Sequence, residues 1–351
     1  MKIIKLTEIC NPKQWKTLST EQLLSSGYSV YGANGKIGYF NDYNHENPTV
    51  MITCRGATCG AINLSEPKSW INGNAMCLDD LSENVNLRYL VHYLSNYDFR
   101  NVISGSAQPQ ITRENLNKVT IKLYDPKKQE EIANNLDKIK KIIEQHKSLL
   151  LKYDTLIKSR FIEMFGDPVQ NPMKWEKKNL SEWCTKVTDG THDTPPRYTR
   201  GVLLLTGKNI RADHIDFSEI EYVSPKDHKI IYERCNPEYG DVLYTNIGVN
   251  YGTAVLNTLD YQFSMKNIAL LKPKRDLVSG YYLWFVLNLL RNKILDENKT
   301  GGAQTFMSLS AIRSLIIPMP PISLQNDFAA FVQQIDKSKF EIEKIVKMVY
   351  N

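Results

Sequence analysis

Two stretches of this chain carry apolar residues at alternating steps of four and three. In the first, about 127–164, the series runs Ile132, Leu136, Ile139, Ile143, His146, Leu150, Tyr153, Ile157, Phe161 or Arg160, and Met164. In the second, about 323–350, it runs Phe328, Val332, Ile335, Lys339, Ile342, Val346 and Val349. That spacing keeps one helix face apolar and matches the seam of a coiled coil, with Lys and Glu filling the other faces. It predicts two long helices, roughly 50 Å and roughly 40 Å at ~1.5 Å per residue. Pro320 and Pro321 stand where a helix start tolerates proline, and Gly166, Pro168 and Pro172 break the first helix into a short turn. His146 and Lys339 interrupt the two seams at staggered places. A polar seam residue can set register, or a long side chain can reach past the seam to water.

Away from these helices the pattern shortens. TVMITC (49–54), NKVTIKLY (117–124), GVLLLTG (201–207), DVLYT (241–245) and IALLKP (268–273) read as strands between Gly, Asn and Pro. YLVHYL (89–94) and YLWFVLNLLRNKI (282–294) read as helices. No strand–helix–strand alternation supports a doubly wound sheet. The expected fold class is α+β: mixed domains with largely antiparallel or bent sheets, separated by two long antiparallel coiled-coil helices.

The elements occur twice. GSAQPQITRENLNKVTIKLYDPKKQEEIANNLDKI (105–139) returns 196 positions later as GGAQTFMSLSAIRSLIIPMPPISLQNDFAAFVQQI (301–335). Gly105, Ala107 and Gln108 match Gly301, Ala303 and Gln304; Gln129 matches Gln325. Upstream, Val50, Gly56 and Gly60 lie over Val242, Gly248 and Gly252, and Leu-x-Glu-x-Cys opens each half at 6–10 and 180–184. The repeat implies a domain at 1–125, a spacer helix at 126–165, a turn at 166–175, a second domain at 176–321 and a second spacer helix at 322–351. A pseudo-two-fold would set the helices antiparallel. A unit used twice in this way is not a solenoid repeat.

Composition narrows the function classes. The net charge of +6 suits nucleic acid without demonstrating it, and no segment forms a basic tail. No run of ~18 apolar residues and no leader pattern appears, so a cytoplasmic protein without a membrane partner is expected. The six cysteines form no CxxC pair. The spacing of Cys54, Cys59 and Cys77 fits no common zinc pattern, and no histidine stands nearby at ligand spacing, so no metal site is expected.

The loops hold groups that grip nucleic acid. YSVYGANGKIGYFNDY (28–43) sets tyrosines, asparagines and a lysine among glycines, and offers Tyr31, Asn34, Lys36 and Tyr39. Arg55 and Asn74 follow. In the second half, Thr191, His192, Arg197 and Arg200 lie in TDGTHDTPPRYTR (188–200), followed by Lys208, Asn209, Asn246, Asn250, Lys266 and Asn267. Amides can pair with adenine, Arg with guanine, and hydroxyls and Lys with phosphate. Any one of them can equally be an ordinary turn residue. Catalytic signatures are missing: there is no P-loop, HExxH, GxSxG, methyl-donor Gly-x-Gly loop or Asn/Asp-Pro-Pro-aromatic motif. Asp189, His192 and Asp193 in DGTHD invite a metal or nuclease reading, though such a turn is more often a capped loop. No catalytic residue is assigned.

The chain resembles the specificity (S) subunits of type I restriction-modification enzymes over its whole length. The carriers are YGANGKIGYFNDY (31–43), SRFIEMFGDP (159–168) with NPMKWE after it, DGTHDTP (189–195), and the recurring GSAQPQIT and GGAQTFMS. The resemblance implies two target recognition domains that bind a split site on double-stranded DNA, with helices that space them and dock partners. It implies a subunit without catalysis, two modification subunits that methylate adenine, and restriction subunits. Methyl donor, ATP and Mg would then be bound by those partners and no cofactor by this chain. A stand-alone DNA-binding regulator of the same architecture is the competing reading, weakened by the modest charge.

Overall fold

The computed structural model describes residues 1–105, 108–248, 250–297 and 306–350, with only the backbone at 349 and 350. Ala107, Gly301, Ala303, Gln304 and the Val349 side chain therefore lie outside the described residues. The chain divides into two compact units, Met1–Gln145 and His146–Asn351.

Unit one begins with β1 (Lys2–Lys5), β2 (Asn11–Lys13), β3 (Tyr28–Gly32), β4 (Gly35–Phe40), β5 (Val50–Thr53), β6 (Ile62–Leu64), β7 (Trp70–Ile71) and β8 (Ala75–Asp79). Then come α1 (Leu87–Ser95), α2 (Arg113–Leu116), β9 (Thr120–Leu123) and the start of the 40-residue α3 (Pro126–Phe165). Its sheets have the orders β1-β9, β2-β8-β5-β6 and β4-β3-β7. All pairs are antiparallel except β3–β7, where Val30 faces Trp70.

Unit two continues with β10 (Glu176–Asn179), α4 (Leu180–Trp183), β11 (Cys184–Asp189), β12 (Val202–Thr206), β13 (Glu221–Val223), α5 (Pro225–Cys235), β14 (Val242–Tyr244) and β15 (Ala254–Leu256). After these come β16 (Ser264–Lys266), β17 (Ala269–Pro273), α6 (Gly280–Glu297), α7 (Leu309–Arg313), β18 (Ile316–Met319) and α8 (Ile322–Tyr350). Its sheets are β10-β18, β11-β17-β14-β15 and β13-β12-β16. Strand for strand this is the order of unit one, including one parallel pair, β12–β16. The repeat expected from segments along each half thus extends through the whole topology, and the mixed, largely antiparallel fold is as expected.

The same contacts recur inside each unit. The Tyr89 hydroxyl donates to the Lys122 carbonyl in unit one, and the Tyr282 hydroxyl to Pro318 in unit two, 2.7 Å. Each ties the helix that follows the large sheet to the strand that precedes the long helix.

In unit two the last turns of α3 join the core. Ile157, Phe161 and Phe165 are buried with Phe328, Val332 and Ile335 of α8 and with Tyr282 of α6. Phe161 stacks on Tyr282 at 5.5 Å and meets Phe328 edge-on at 5.4 Å. Asp154 pairs with Lys339. Because the α3 residues fall in number as their α8 partners rise, the two helices run antiparallel. Lys339 therefore reaches past the seam to a carboxylate. His146 is half-buried, and its Nδ1 has no hydrogen-bond partner among the described residues.

One seam position corrects the expectation. Ile139 is 40% exposed, whereas its repeat equivalent Ile335 is buried at 9%. Ile335 lies against the end of α3. In unit one the matching face beside Tyr89, His92, Tyr93, Ile132 and Leu136 is an open groove of about 390 Å³. Ile132, Leu136, Ile143, Leu150, Ile342 and Val346 are half-buried. Periodicity fixes which residues share a face, but only a neighbour buries them.

Candidate nucleic-acid interface

Six of the recognition candidates of unit two, Arg197, Lys208, Asn209, Asn250, Lys266 and Asn267, line one cleft. It has a volume of about 850 Å³ and is lined by Arg197, Lys208, Arg211, Asn250, Lys266 and Asn267, among others. The local chain explains why. Gly190 ends β11 so close to β16 that an added Cβ would stand 2.0 Å from the Met265 carbonyl oxygen. Thr191 N then donates to that same carbonyl, 2.9 Å, and Asn267 N returns to Thr191 O, 3.2 Å. The loop after β11 is thereby laid beside Lys266, whose ammonium contacts Thr194 Oγ1.

Asn209 builds the opposite wall with its amide committed inside the fold, a correction to its candidacy as an exposed contact. It is 4% exposed. Its Oδ1 accepts from Thr206 N at 2.9 Å, and its Nδ2 donates to Asp216 O and Glu219 O at 3.0 and 2.9 Å. Asn250 Nδ2 likewise donates to Gly207 O and Ile210 O, 2.9 and 3.1 Å, and so holds the Lys208 loop in place. Buried Asn246 donates to Met307 O at 3.2 Å, which removes it from the surface as well. These amides satisfy carbonyls that the turn leaves unpaired.

Lys208 and Lys266 stand on that frame, while Arg200 is not among the cleft's lining residues. Lys208 and Arg200 are exposed and Lys266 is half-buried. Arg197 Nε pairs with Glu221 at 2.9 Å, and Arg211 with Asp216 at 2.7 Å. The Ser218 hydroxyl and amide, with Arg211 behind them, hold the Asp216 carboxyl below the usual carboxylate range. Asp216 and Glu221 fix the arginine planes, and Glu219 completes an acidic rim; that rim and Arg211 were not anticipated from the sequence. Arg211 lies only two residues beyond Asn209, and that proximity was the available signal.

DGTHD is a structural junction. Asp189 is 3% exposed and accepts from the Arg234 guanidinium. His192 Nε2 lies 2.7 Å from its other oxygen, and His192 Nδ1 lies 3.1 Å from Asn267 Oδ1. A carboxylate committed in this way to a cation and an imidazole supports the capped-loop reading.

In unit one the candidates are spread wider. Tyr31 is a correction: it is 7% exposed, and its hydroxyl accepts from Glu66 N at 3.1 Å inside the fold. Asn34 sits exposed at the β3–β4 turn with its Oδ1 on the Thr58 hydroxyl. Lys36 lies over the Tyr39 ring at 4.3 Å and near Glu66 at 3.6 Å. Arg55 and Asn74 are exposed at neighbouring ends of β5 and β8, where Cys54 N donates to Asn74 O at 3.1 Å. The thiols offer no ready nucleophile: burial pushes Cys10 and Cys184 up to about 12 and Cys235 to about 11. Among the described residues no helix is long and apolar enough to cross a membrane.

Comparison with known proteins agrees with this geometry. A family model described as type I restriction modification DNA specificity domain matches residues 1–153 and 207–348. A Haemophilus influenzae protein named as a type I restriction enzyme specificity subunit is 21% identical over 336 residues, covering 92% of this chain and 83% of that protein. The specificity subunit of the Escherichia coli type I restriction enzyme EcoKI is 22% identical over 284 residues, 74% of this chain and 60% of that subunit. The crystal structure of a type I restriction-modification S subunit from M. genitalium aligns with a TM-score of 0.68 at 16% identity, over 99% of this chain and 92% of that one. At that identity the likeness concerns the fold.

Proposed function

Because this chain belongs to the type I restriction modification DNA specificity family, with specificity-domain matches in both halves, we propose that it reads a bipartite target on double-stranded DNA, one half-site per domain. The readers are residues 1–125 and 176–321. The helices 126–165 and 322–351 act as spacers and as docking surfaces for two modification subunits, and restriction subunits join that assembly. This chain carries out no chemistry. Its partners bind the methyl donor, ATP and Mg and methylate adenine drawn out of the helix. The complex works in the cytoplasm.

The observation that carries this reading is one topology used twice, with different side chains on its loops. Two readers of a duplex approach the same face when they stand about one turn apart, ~34 Å. A helix can hold such a distance where a flexible linker cannot. In the second domain, Lys208, Arg200 and Lys266 would hold phosphates, while Arg197, His192, Thr191 and Asn267 would read base edges. In the first, Asn34, Lys36, Tyr39, Arg55 and Asn74 take these roles.

The test is co-expression with the cognate modification subunit, followed by mapping of methylated adenines. A split motif is expected, and exchange of residues 1–125 should alter one half of it. A continuous motif, or a change in both halves, would overturn the reading.

A further inference from the structure

We propose that His45 Nε2, Cys77 Sγ and Asp79 Oδ1 bind one zinc ion in the first unit. Cys77 and Asp79 are two residues apart on β8 and so project from the same face. His45 lies in the segment after β4, held by backbone hydrogen bonds to Ser69 at 3.0 Å in both directions. The three ligand atoms all lie within 4.8 Å of one another, with Nε2 and Oδ1 3.0 Å apart. Cys77 is fully buried and His45 is 9% exposed.

Hydrogen bonds fix the orientation of two of the three ligands. The Asn44 amide is oriented by Ile71: its Oδ1 accepts from Ile71 N at 2.9 Å, and its Nδ2 donates to Ile71 O at 3.1 Å. His45 Nδ1 lies 2.6 Å from that same Oδ1 and must therefore carry a hydrogen and donate. With Nδ1 donating to Asn44, Nε2 is the ring nitrogen that faces Asp79 Oδ1. The other carboxylate oxygen, Oδ2, is taken by Trp15 Nε1 at 2.9 Å. A proton or a metal ion between these two atoms satisfies both, and the Cys77 thiol within 4.8 Å of each supplies the third ligand that a metal ion would take.

The donor set suits zinc, which takes imidazole, thiolate and carboxylate at ~2.0–2.3 Å and accepts water as a fourth ligand. Asn44 on the imidazole and Trp15 on the carboxylate are the outer partners that fix ligand orientation in metal sites. Binding replaces the thiol proton, which leaves to solvent. The shared frame does not require this cluster. In unit two β17 carries Leu270 and Lys272 at the positions equivalent to Cys77 and Asp79, by their matched pairing with β5 and β14. The ion would tie the segment after the β3–β4 hairpin to β8. That anchors the hairpin bearing Asn34, Lys36 and Tyr39.

The test uses the untagged full-length chain, purified reduced and without chelator. Elemental analysis should find about one zinc per chain, and cobalt(II) added to stripped protein should give a near-ultraviolet thiolate-to-cobalt band at one equivalent. Cys77→Ser should abolish that band, and Cys59→Ser should keep it. Folded wild-type protein that retains no zinc and gives no cobalt band would overturn the proposal, leaving His45 simply hydrogen-bonded to Asp79. A band that survives in Cys77→Ser would overturn it too. If Cys77→Ser does not fold, His45→Gln replaces it, with the same loss expected.

Discussion

Gln129 and Gln325 make the same three hydrogen bonds in the two units. Gln129 Oε1 accepts from Asn86 N at 2.8 Å, and its Nε2 donates to Asn84 O and Tyr124 O at 2.9 and 2.8 Å. Gln325 Oε1 accepts from Ser279 N at 2.9 Å, and its Nε2 donates to Leu277 O and Pro320 O at 3.1 and 2.7 Å. Both side chains are fully buried. Each amide clamps the first turn of a long helix to the start of the helix behind it. Removing either leaves buried backbone groups unpaired. Gln325→Ala should destabilise the protein by about 2–3 kcal/mol, and Gln129→Ala by a similar amount. Urea unfolding measures this, and a loss under ~0.5 kcal/mol would refute the clamp.

Equal periodicity along α3 does not mean equal burial. Phe161 is fully buried among Phe165, Tyr282 and Phe328, and Phe161→Ala should cost about 3–5 kcal/mol. Ile139, in the same seam but 40% exposed, should tolerate serine within about 0.5–1 kcal/mol. Thermal melts of the two variants would separate them by several degrees, and equal shifts would contradict the packing.

Asp137 joins α3 to α1 through His92 at 2.7 Å and Arg88 at 2.6 Å. The His92 hydrogen bond, with Arg88 behind it, holds the carboxyl below its ordinary value. A depressed carboxylate stabilises the fold above the unfolded value, ~3.9, and loses that contribution as pH falls through the folded value. Since the pair is partly solvated, Asp137→Asn should lower neutral-pH stability by only about 0.5–1 kcal/mol. The gap between variant and wild type should shrink below about pH 4, as denaturation at stepped pH would record. A gap that widens in acid would reverse the sign of the argument.

Lys208 is exposed on the rim of the unit-two cleft. As a phosphate contact, Lys208→Ala should weaken DNA binding by the assembled complex for all sequences alike and reduce the salt slope by about 1. Asn209→Ala acts differently, because Asn209 is a buried brace: it should lower stability by about 1–3 kcal/mol. Binding isotherms at several salt concentrations, beside melts, distinguish the two. An unchanged slope for Lys208→Ala would remove it from the interface.

Much of the plan was legible in the residues themselves. The four-three spacing marked both long helices, because an amphipathic helix needs its apolar face wherever it packs. The matched Gln129 and Gln325, and the strands at 49–54, 241–245 and 268–273, exposed a repeat whose sheet orders turn out identical. The loops were harder. Asn209, Asn246 and Tyr31 carry the same groups as the exposed candidates, and nothing local to the sequence separates an amide that braces a turn from one free to read a base.

What the sequence by itself determined is therefore the periodic part: two domains, two helices and the correspondence between them. Local geometry sets those, and local geometry is written in neighbouring residues. Tertiary structure alone decided which seam residue is covered, as Ile335 is and Ile139 is not. It alone turned Asn209 inward and placed His45 beside Cys77 and Asp79. Burial and ligand distance depend on what a distant segment brings near, and no spacing along the chain encodes that.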